Sequence, residues 1–271
     1  MLTFIPTPIG NPQDITIRAL REFEKATLFL CEDTRETKRL LRLLEERFDF
    51  TYPDDVTFLS FHEHNGEARL EEVASRLEPE NVVYVSDAGM PIISDPGQIL
   101  VAYCQVNGLK YDVLPGASAV VTAYASSGFE EGAFLFYGFL PSKGSERSSE
   151  LIGLMNGSAN TILYEAPHRI EKLIEEISVI DEHRELFLVK EISKKFQTYH
   201  RGSAKEIFKI FKTANLKGEW VVVIRAKQEK PKALYLDDIL AFDLPPKIKA
   251  KLLAKITDKN VKEWYGKLIS D

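Results

Sequence analysis

Short apolar runs alternate with amphipathic stretches through the first half of the chain. Segments 2–5, 27–31, 56–61, 81–85 and 110–114 are apolar, rich in Val, Phe, Leu and Tyr, and of strand length. Between them, 15–26, 36–44, 67–77 and a stretch near 97–107 space their apolar positions at helical intervals. In 67–77 these are Leu70, Val73, Ala74 and Leu77. Strands separated by helices predict right-handed crossovers and a parallel sheet. The second half changes rhythm. Strands are expected at 134–140, 161–165, 186–191, 196–200 and 219–226, with helices at 169–180 and 204–211. The close succession of 186–191 and 196–200 predicts an antiparallel pair, and so a mixed sheet. Beyond Pro245-Pro246, 247–256 and 260–269 read as two short helices around Thr257-Asp258. The expected class is α/β. An N-terminal α/β domain covers 1–117, a C-terminal α/β domain covers 118–227, and a small helical tail covers 228–271.

The 271 residues carry enough apolar side chains for substantial cores. No apolar run reaches transmembrane length, and the start of the chain lacks the pattern of a signal peptide. Cys31 and Cys104 both sit in apolar contexts, which predicts reduced thiols in a cytoplasmic protein. Net charge is −6, yet 246–267 holds seven lysines, Lys247 and Lys251 among them, against Asp258 and Glu263. Lys190, Lys194, Lys195, Arg201, Lys205 and Lys209 form a second basic stretch. Local basic faces in an acidic total suit RNA, and equally suit solvated helix surfaces.

Polar clusters recur where strands end. The richest is Ser86-Asp87-Ala88-Gly89-Met90-Pro91-Ile92-Ile93-Ser94-Asp95-Pro96-Gly97, which follows the run at 81–85. Its glycines allow close backbone approach and its prolines stiffen the loop. Asp87 is a candidate floor for a small-molecule site; Asp87 and Asp95 equally suit simple helix caps. Other clusters follow the remaining strands: 6–14, Glu32-Asp33-Thr34-Arg35, His62-Glu63-His64-Asn65, 115–118 and Glu165-Ala166-Pro167-His168-Arg169. In a parallel sheet such ends share one edge, where ligands bind. Glu32 and Asp33 also suit an N-cap, and Arg35, Lys38, Arg39 and Arg42 suit either a solvated helix face or a phosphate-binding edge. There is no P-loop, no dinucleotide fingerprint, no nucleophile elbow and no His/Cys spacing for a metal.

Taken in order, the clusters match a known pattern. Thr7-Pro8-Ile9-Gly10-Asn11, Asp14-Ile15-Thr16-Ile17-Arg18-Ala19-Leu20, Cys31-Glu32-Asp33-Thr34-Arg35, Phe61-His62-Glu63-His64-Asn65 and 86–97 come first. Pro115-Gly116-Ala117-Ser118-Ala119, Gly138-Phe139-Leu140-Pro141 and Tyr164-Glu165-Ala166-Pro167-His168-Arg169 follow. Together they resemble the tetrapyrrole methylase superfamily, in its branch that 2′-O-methylates a decoding-centre cytidine of small-subunit (16S) ribosomal RNA. The resemblance spans about residues 1–226, with the tail matching more loosely. Met90 and Ala166 depart from the usual Thr and Ser.

The resemblance implies a tetrapyrrole-methylase-like fold with S-adenosylmethionine held between two α/β domains. The implied cofactor contacts are Pro8, Asp87, Met90, Ser118, Ala119 and Tyr164. A carboxylate such as Asp87 suits a ribose diol or an ammonium, and apolar strand ends near Met90, Tyr164 and Trp220 suit adenine. Methylation of a ribose hydroxyl requires positioning and a proton acceptor, but no metal. Glu165, His168, Glu32, Asp33 and His62 are the candidate acceptors. Arg35 and Arg169 are candidate phosphate anchors, joined by Lys247 and Lys251 for docking of RNA in the ribosomal particle. A cytoplasmic homodimer is implied. Two rival readings share these residues: a methyltransferase acting on a tetrapyrrole carbon, and a non-catalytic RNA-binding assembly factor.

Overall fold

Five parallel strands build the first sheet: β1 (Leu2–Phe4), β2 (Leu28–Cys31), β3 (Thr57–Ser60), β4 (Val82–Val85) and β5 (Tyr111–Val113). Their order is β3-β2-β4-β1-β5. The computed structural model from which this follows describes residues 1–93, 97–130, 132–227 and 236–270. Asp95, a candidate cap, lies outside them. The helices α1 (Ile17–Phe23), α2 (Thr34–Arg47), α3 (Gly66–Val73) and α4 (Gln98–Asn107) connect the strands. Alternate strand residues face opposite ways. Phe29, Cys31, Val83 and Val85 therefore pack with Ala19, Phe23, Leu41 and Leu44 on one side. Leu28, Leu30, Val82 and Tyr84 pack with Val73, Leu100 and Cys104 on the other. Burial on both faces is why these segments read as unbroken apolar runs.

The second sheet is mixed: β6 (Phe134–Phe139), β7 (Asn160–Glu165), β8 (Glu185–Lys190), β9 (Thr198–Ser203) and β10 (Trp220–Ile224), in the order β6-β7-β10-β8-β9. Only β6 and β7 run parallel; the other three pairings are antiparallel. Helices α6 (Gly144–Met155), α7 (Ile170–Ile180) and α8 (Ala204–Phe211) cover one face. Helix α5 (Ala119–Ser127) and Ile9 cover the other.

The strand pattern and the β8–β9 antiparallel pair agree with the sequence expectation. Three helices were not foreseen: α5, α6 and a short one at Leu236–Ala241. Helix α5 is made of small and β-branched residues with little periodic contrast. Helix α6 begins on Gly144 and carries Ser145, Ser148, Ser149 and Gly153, all weak helix formers. Its buried face is Arg147, Leu151 and Met155, so a charge occupies a core position. Strand β9 starts two residues later than expected. Hydrogen bonds from the Lys194 amide to the Glu191 carbonyl (3.0 Å) and from the Gln197 amide to the Lys194 carbonyl (3.1 Å) draw Phe196 into the turn.

Residues Met1–Ala226, both sheets included, form one compact unit, and Lys227–Asp271 form another. The second contains α9 (Leu236–Ala241), α10 (Pro246–Ile256) and α11 (Val261–Ser270). Its small core is Ile239, Ala250, Leu253 and Trp264. Among the described residues no helix is long and apolar enough to cross a membrane.

Candidate active site

The carboxyl ends of β2 and β4, the N-terminus of α5 and the ends of β6, β7 and β10 surround a cavity of about 550 Å³. That volume is typical of a site for a small organic ligand. The first sheet contributes Glu32, Ser86, Ala88, Gly89 and Met90, and the second contributes Phe139, Tyr164, Trp220 and Val221. Ile9 and Ile192 line it from loops, and Ser118 and Ala119 from the start of α5.

Backbone contacts hold the rim together. The amides and carbonyls of Thr7 and Gly89 exchange two hydrogen bonds of 3.0 Å, and the Thr7 hydroxyl donates to the Ser86 carbonyl at 3.2 Å. Gly89 adopts φ +80, and a Cβ there would meet Ile9 Cγ2 at 3.0 Å. At Gly116 a Cβ would stand 2.6 Å from Pro6 Cβ, and the proline ring cannot swing away. Gly116→Val should therefore push the 115–118 loop off the 6–9 loop. We expect about a tenfold or greater loss of affinity, measured by calorimetry, for S-adenosylhomocysteine, the demethylated form of the cofactor that the sequence resemblance implies, since small displacements of binding groups are costly. Unchanged affinity would show that these loops do not shape the ligand site.

Ile92 has φ 78, an uncommon conformation for a β-branched residue that costs on the order of 1–3 kcal/mol and is concentrated at functional sites.

The polar groups of the site differ sharply in their freedom. The buried hydroxyl of Ser86 has no hydrogen-bond partner among the described residues. Because Ser86 lines the cavity, a ligand can supply that partner. Glu32 accepts a hydrogen bond from the Asp87 amide at 3.2 Å, and the Asp87 carboxylate accepts one from the Asp33 amide at 3.1 Å. Partial withdrawal from water raises the Asp87 pKa; the Asp33 amide opposes the rise, while the charges of Asp33 and Glu36 add to it. Asp33 behaves oppositely. Hydrogen bonds from the Arg35 side chain and amide hold its pKa at about 2, and its side chain caps α2.

Glu165 is almost fully buried and tightly clamped. Both terminal nitrogens of Arg147 donate to its Oε2 at 3.3 Å. The Ala166 amide donates to Oε1 at 2.9 Å, and Arg169 pairs with the same oxygen at 2.7 Å. Arg147 is itself buried and also holds Glu176 at 2.8 Å and the Pro141 carbonyl at 3.0 Å. Burial, and next the Glu219 charge, push the Tyr164 hydroxyl up to about 12, so it stays a neutral donor near pH 7.

Of the residues singled out from the sequence, Glu32, Glu165, Met90, Ser118, Ala119 and Tyr164 line the cavity. Pro8 and Asp87 are adjacent in sequence to lining residues but do not themselves line it. Asp33, Arg35, His62, His168 and Arg169 also stand outside the lining. Arg35 is paired with Asp33 and its side chain is 88% exposed. His168 is exposed on the turn before α7. His62, past the end of β3, has a buried Nδ1 without a hydrogen-bond partner among the described residues and lies 6.0 Å from the His64 ring. Lys247 and Lys251 are exposed one turn apart on α10, in the second unit. Sequence reasoning missed Ile192 and Glu219 as site residues. They follow or precede ordinary strands, and only the fold brings them to the cavity.

A family model for tetrapyrrole (corrin/porphyrin) methylases matches residues 1–207. The chain belongs to the tetrapyrrole methylase family. Within that family it groups with ribosomal RNA small subunit methyltransferase I. The protein of that description from Campylobacter fetus subsp. fetus is 44% identical over 272 residues, covering 100% of both chains. Its counterpart from Helicobacter pylori (strain J99) is 41% identical, over 98% of this chain and 96% of that one. Among solved structures, a Thermus thermophilus uroporphyrin-III C-methyl transferase complexed with S-adenosyl homocysteine aligns with TM-score 0.55 at 17% identity. That alignment covers 82% of this chain and 96% of the other. The two-sheet architecture described above is the tetrapyrrole methylase fold, and the chain is a methyltransferase.

Proposed function

We propose that this methyltransferase transfers a methyl group from S-adenosylmethionine to the ribose 2′-hydroxyl of a cytidine in small-subunit ribosomal RNA. The observation that carries the proposal is near full-length similarity to small-subunit ribosomal RNA methyltransferases, in a chain most of whose matched motifs contribute residues to one cavity. The cavity suits the cofactor. It joins an apolar wall, formed by Ile192, Val221 and Trp220, to unspent polar capacity at Ser86. Met90, Ser118, Ala119 and Tyr164 are the residues we assign to hold it, together with Asp87 on the Met90 loop and Pro8 beside Ile9.

The bound cofactor supplies an electrophilic methyl group, so the chain has two tasks: aligning the hydroxyl and accepting its proton. Glu165 is poorly suited to the second task, because each of its oxygens already accepts from a guanidinium. Its role is to fix the cavity wall. We assign proton removal to Glu32, which lines the cavity and whose Oε2 is oriented by the Asp87 amide. Arg35, Arg169, Lys247 and Lys251 are assigned to RNA phosphates; a guanidinium pairs bidentately with phosphate. A homodimer in the cytoplasm is part of the same proposal.

The test is tritium transfer from labelled S-adenosylmethionine to small ribosomal subunits lacking the modification, beside naked rRNA and porphyrinogens. Label in the RNA as a 2′-O-methylcytidine is the expected result. Label in the porphyrinogens would favour tetrapyrrole methylation, and no transfer with retained RNA binding would favour an assembly factor. A chain ending at Ala226 should keep its cofactor affinity and lose most transfer to the particles. Its RNA binding should have a flatter salt dependence, by roughly one slope unit for each phosphate that the lysines no longer neutralise. Full activity with an unchanged slope would remove the lysine-rich unit from substrate docking.

A further inference from the structure

The Gly138-Phe139-Leu140-Pro141 motif has no part in the mechanism above, yet the structure spends much on placing Phe139. Between Phe136 and Gly138 the β6–β7 register shifts, a β-bulge made at Tyr137, with Gly138 at φ +84. Strand residues facing one side normally alternate. Here the extra residue brings Phe136 and Phe139, three apart, onto the side occupied by Tyr164. Their ring centroids lie 5.0 and 5.6 Å from the Tyr164 ring. Bulges of this kind re-aim a side chain. The residues that follow are fixed: Leu140 is 2% exposed in the core, and buried Arg147 holds the Pro141 carbonyl. Phe139 itself is 56% exposed although it lines the cavity. The result is a rigid aromatic face at the cavity mouth, backed by a second ring and open to solvent.

We propose that Phe139 is the stacking surface for an unpaired base of the substrate RNA. The inference rests on the proposed RNA reading and adds to it the residue that receives the base. Chemistry on a nucleotide in structured RNA requires its base to be splayed out, and a splayed base is held on an aromatic face. A phenyl ring has no donors or acceptors, so it accepts any base and leaves sequence choice to other contacts. A ring already fixed by its neighbours loses little side-chain entropy on binding. The cofactor has the enclosed part of the cavity, where Ile192, Val221 and Trp220 are each at most 5% exposed.

Phe139→Ala and Phe139→Trp test the proposal in the full-length protein. The alanine variant should raise KM for small ribosomal subunits about tenfold or more, as expected when a base–aromatic stack is removed, and tryptophan should restore it. S-adenosylhomocysteine affinity by calorimetry and mass by sedimentation should match wild type in both variants. An unchanged KM overturns the inference. So does a parallel loss of S-adenosylhomocysteine affinity, which would assign the ring to the cofactor, or a change of mass, which would assign it to contact with a second copy. Methylation of porphyrinogens but not RNA by wild type would instead overturn the RNA reading, and this inference with it.

Discussion

Glutamine at position 32 is expected to slow the chemical step of methyl transfer roughly 10²- to 10⁴-fold, the usual contribution of a positioned general base. Glu32 lines the cavity at the end of β2, and its carboxylate accepts from the Asp87 amide across the gap to β4. A glutamine oxygen can accept the same hydrogen bond, so the rim should stay intact while the proton acceptor is lost. Single-turnover methylation of small ribosomal subunits, with calorimetric binding of S-adenosylhomocysteine, separates these effects. The expected outcome is a large fall in rate at unchanged cofactor affinity. A rate within a few fold of wild type would release Glu32 from the role. His168, His62 and Asp33 would then be tested in the same assay, although Asp33 is handicapped by its pKa of about 2, which makes it a weak base.

The second large effect concerns stability. Arg147→Met should destabilise the Met1–Ala226 unit by about 3–5 kcal/mol, the cost of breaking one side of a buried ion pair. Arg147 and Glu165 are 1% and 3% exposed, so neither charge can recover its hydration in place. In the variant, Glu165 keeps Arg169 and the Ala166 amide on one oxygen and loses both Arg147 bonds on the other. The Pro141 carbonyl and Glu176 lose the same partner. For a unit of this size the thermal midpoint should fall by roughly 6–20 °C. Adding Glu165→Gln should recover part of the loss, because an amide is less costly to bury than an unmatched carboxylate. A loss below about 1 kcal/mol for Arg147→Met, measured by urea unfolding, would mean that water or a shifted Arg169 takes over; the network would then be far weaker than its burial implies.

Arg147 also illustrates why part of this molecule is hard to read from its residues. The strands of the first sheet are legible because burial on both faces leaves an unbroken apolar signature, as at Leu28, Phe29 and Leu30. Helix α6 reverses the rule by turning an arginine inward, so hydrophobic spacing misses it. The β2 and β4 ends of the site are legible for a different reason: in a parallel sheet, strand ends share an edge, and Glu32 and Ser86 occupy two of them. Ile192 and Glu219 flank β8 and β10, the antiparallel part of the mixed sheet, where strands of opposite direction share an edge and no such inference holds. Asp87 shows a further limit. Its motif lies at the cavity, but its carboxylate is engaged by the Asp33 amide, a choice made by side-chain geometry that no spacing rule encodes.

The place of β1 in the sheet order has a consequence for how the chain assembles during synthesis. Leu2 pairs with Val82 on one side and with Tyr111 on the other. Strand β1 is therefore interior to its sheet and is made before either of its neighbours. At elongation rates of roughly 5–20 residues per second, it waits on the order of 4–16 s for its first neighbour to be made. It is an apolar segment, and until β4 and β5 emerge from the exit tunnel it has neither edge protected. Changes in residues 1–4, including an added tag that competes for the strand, would strike an interior seam of the first sheet and not a peripheral one.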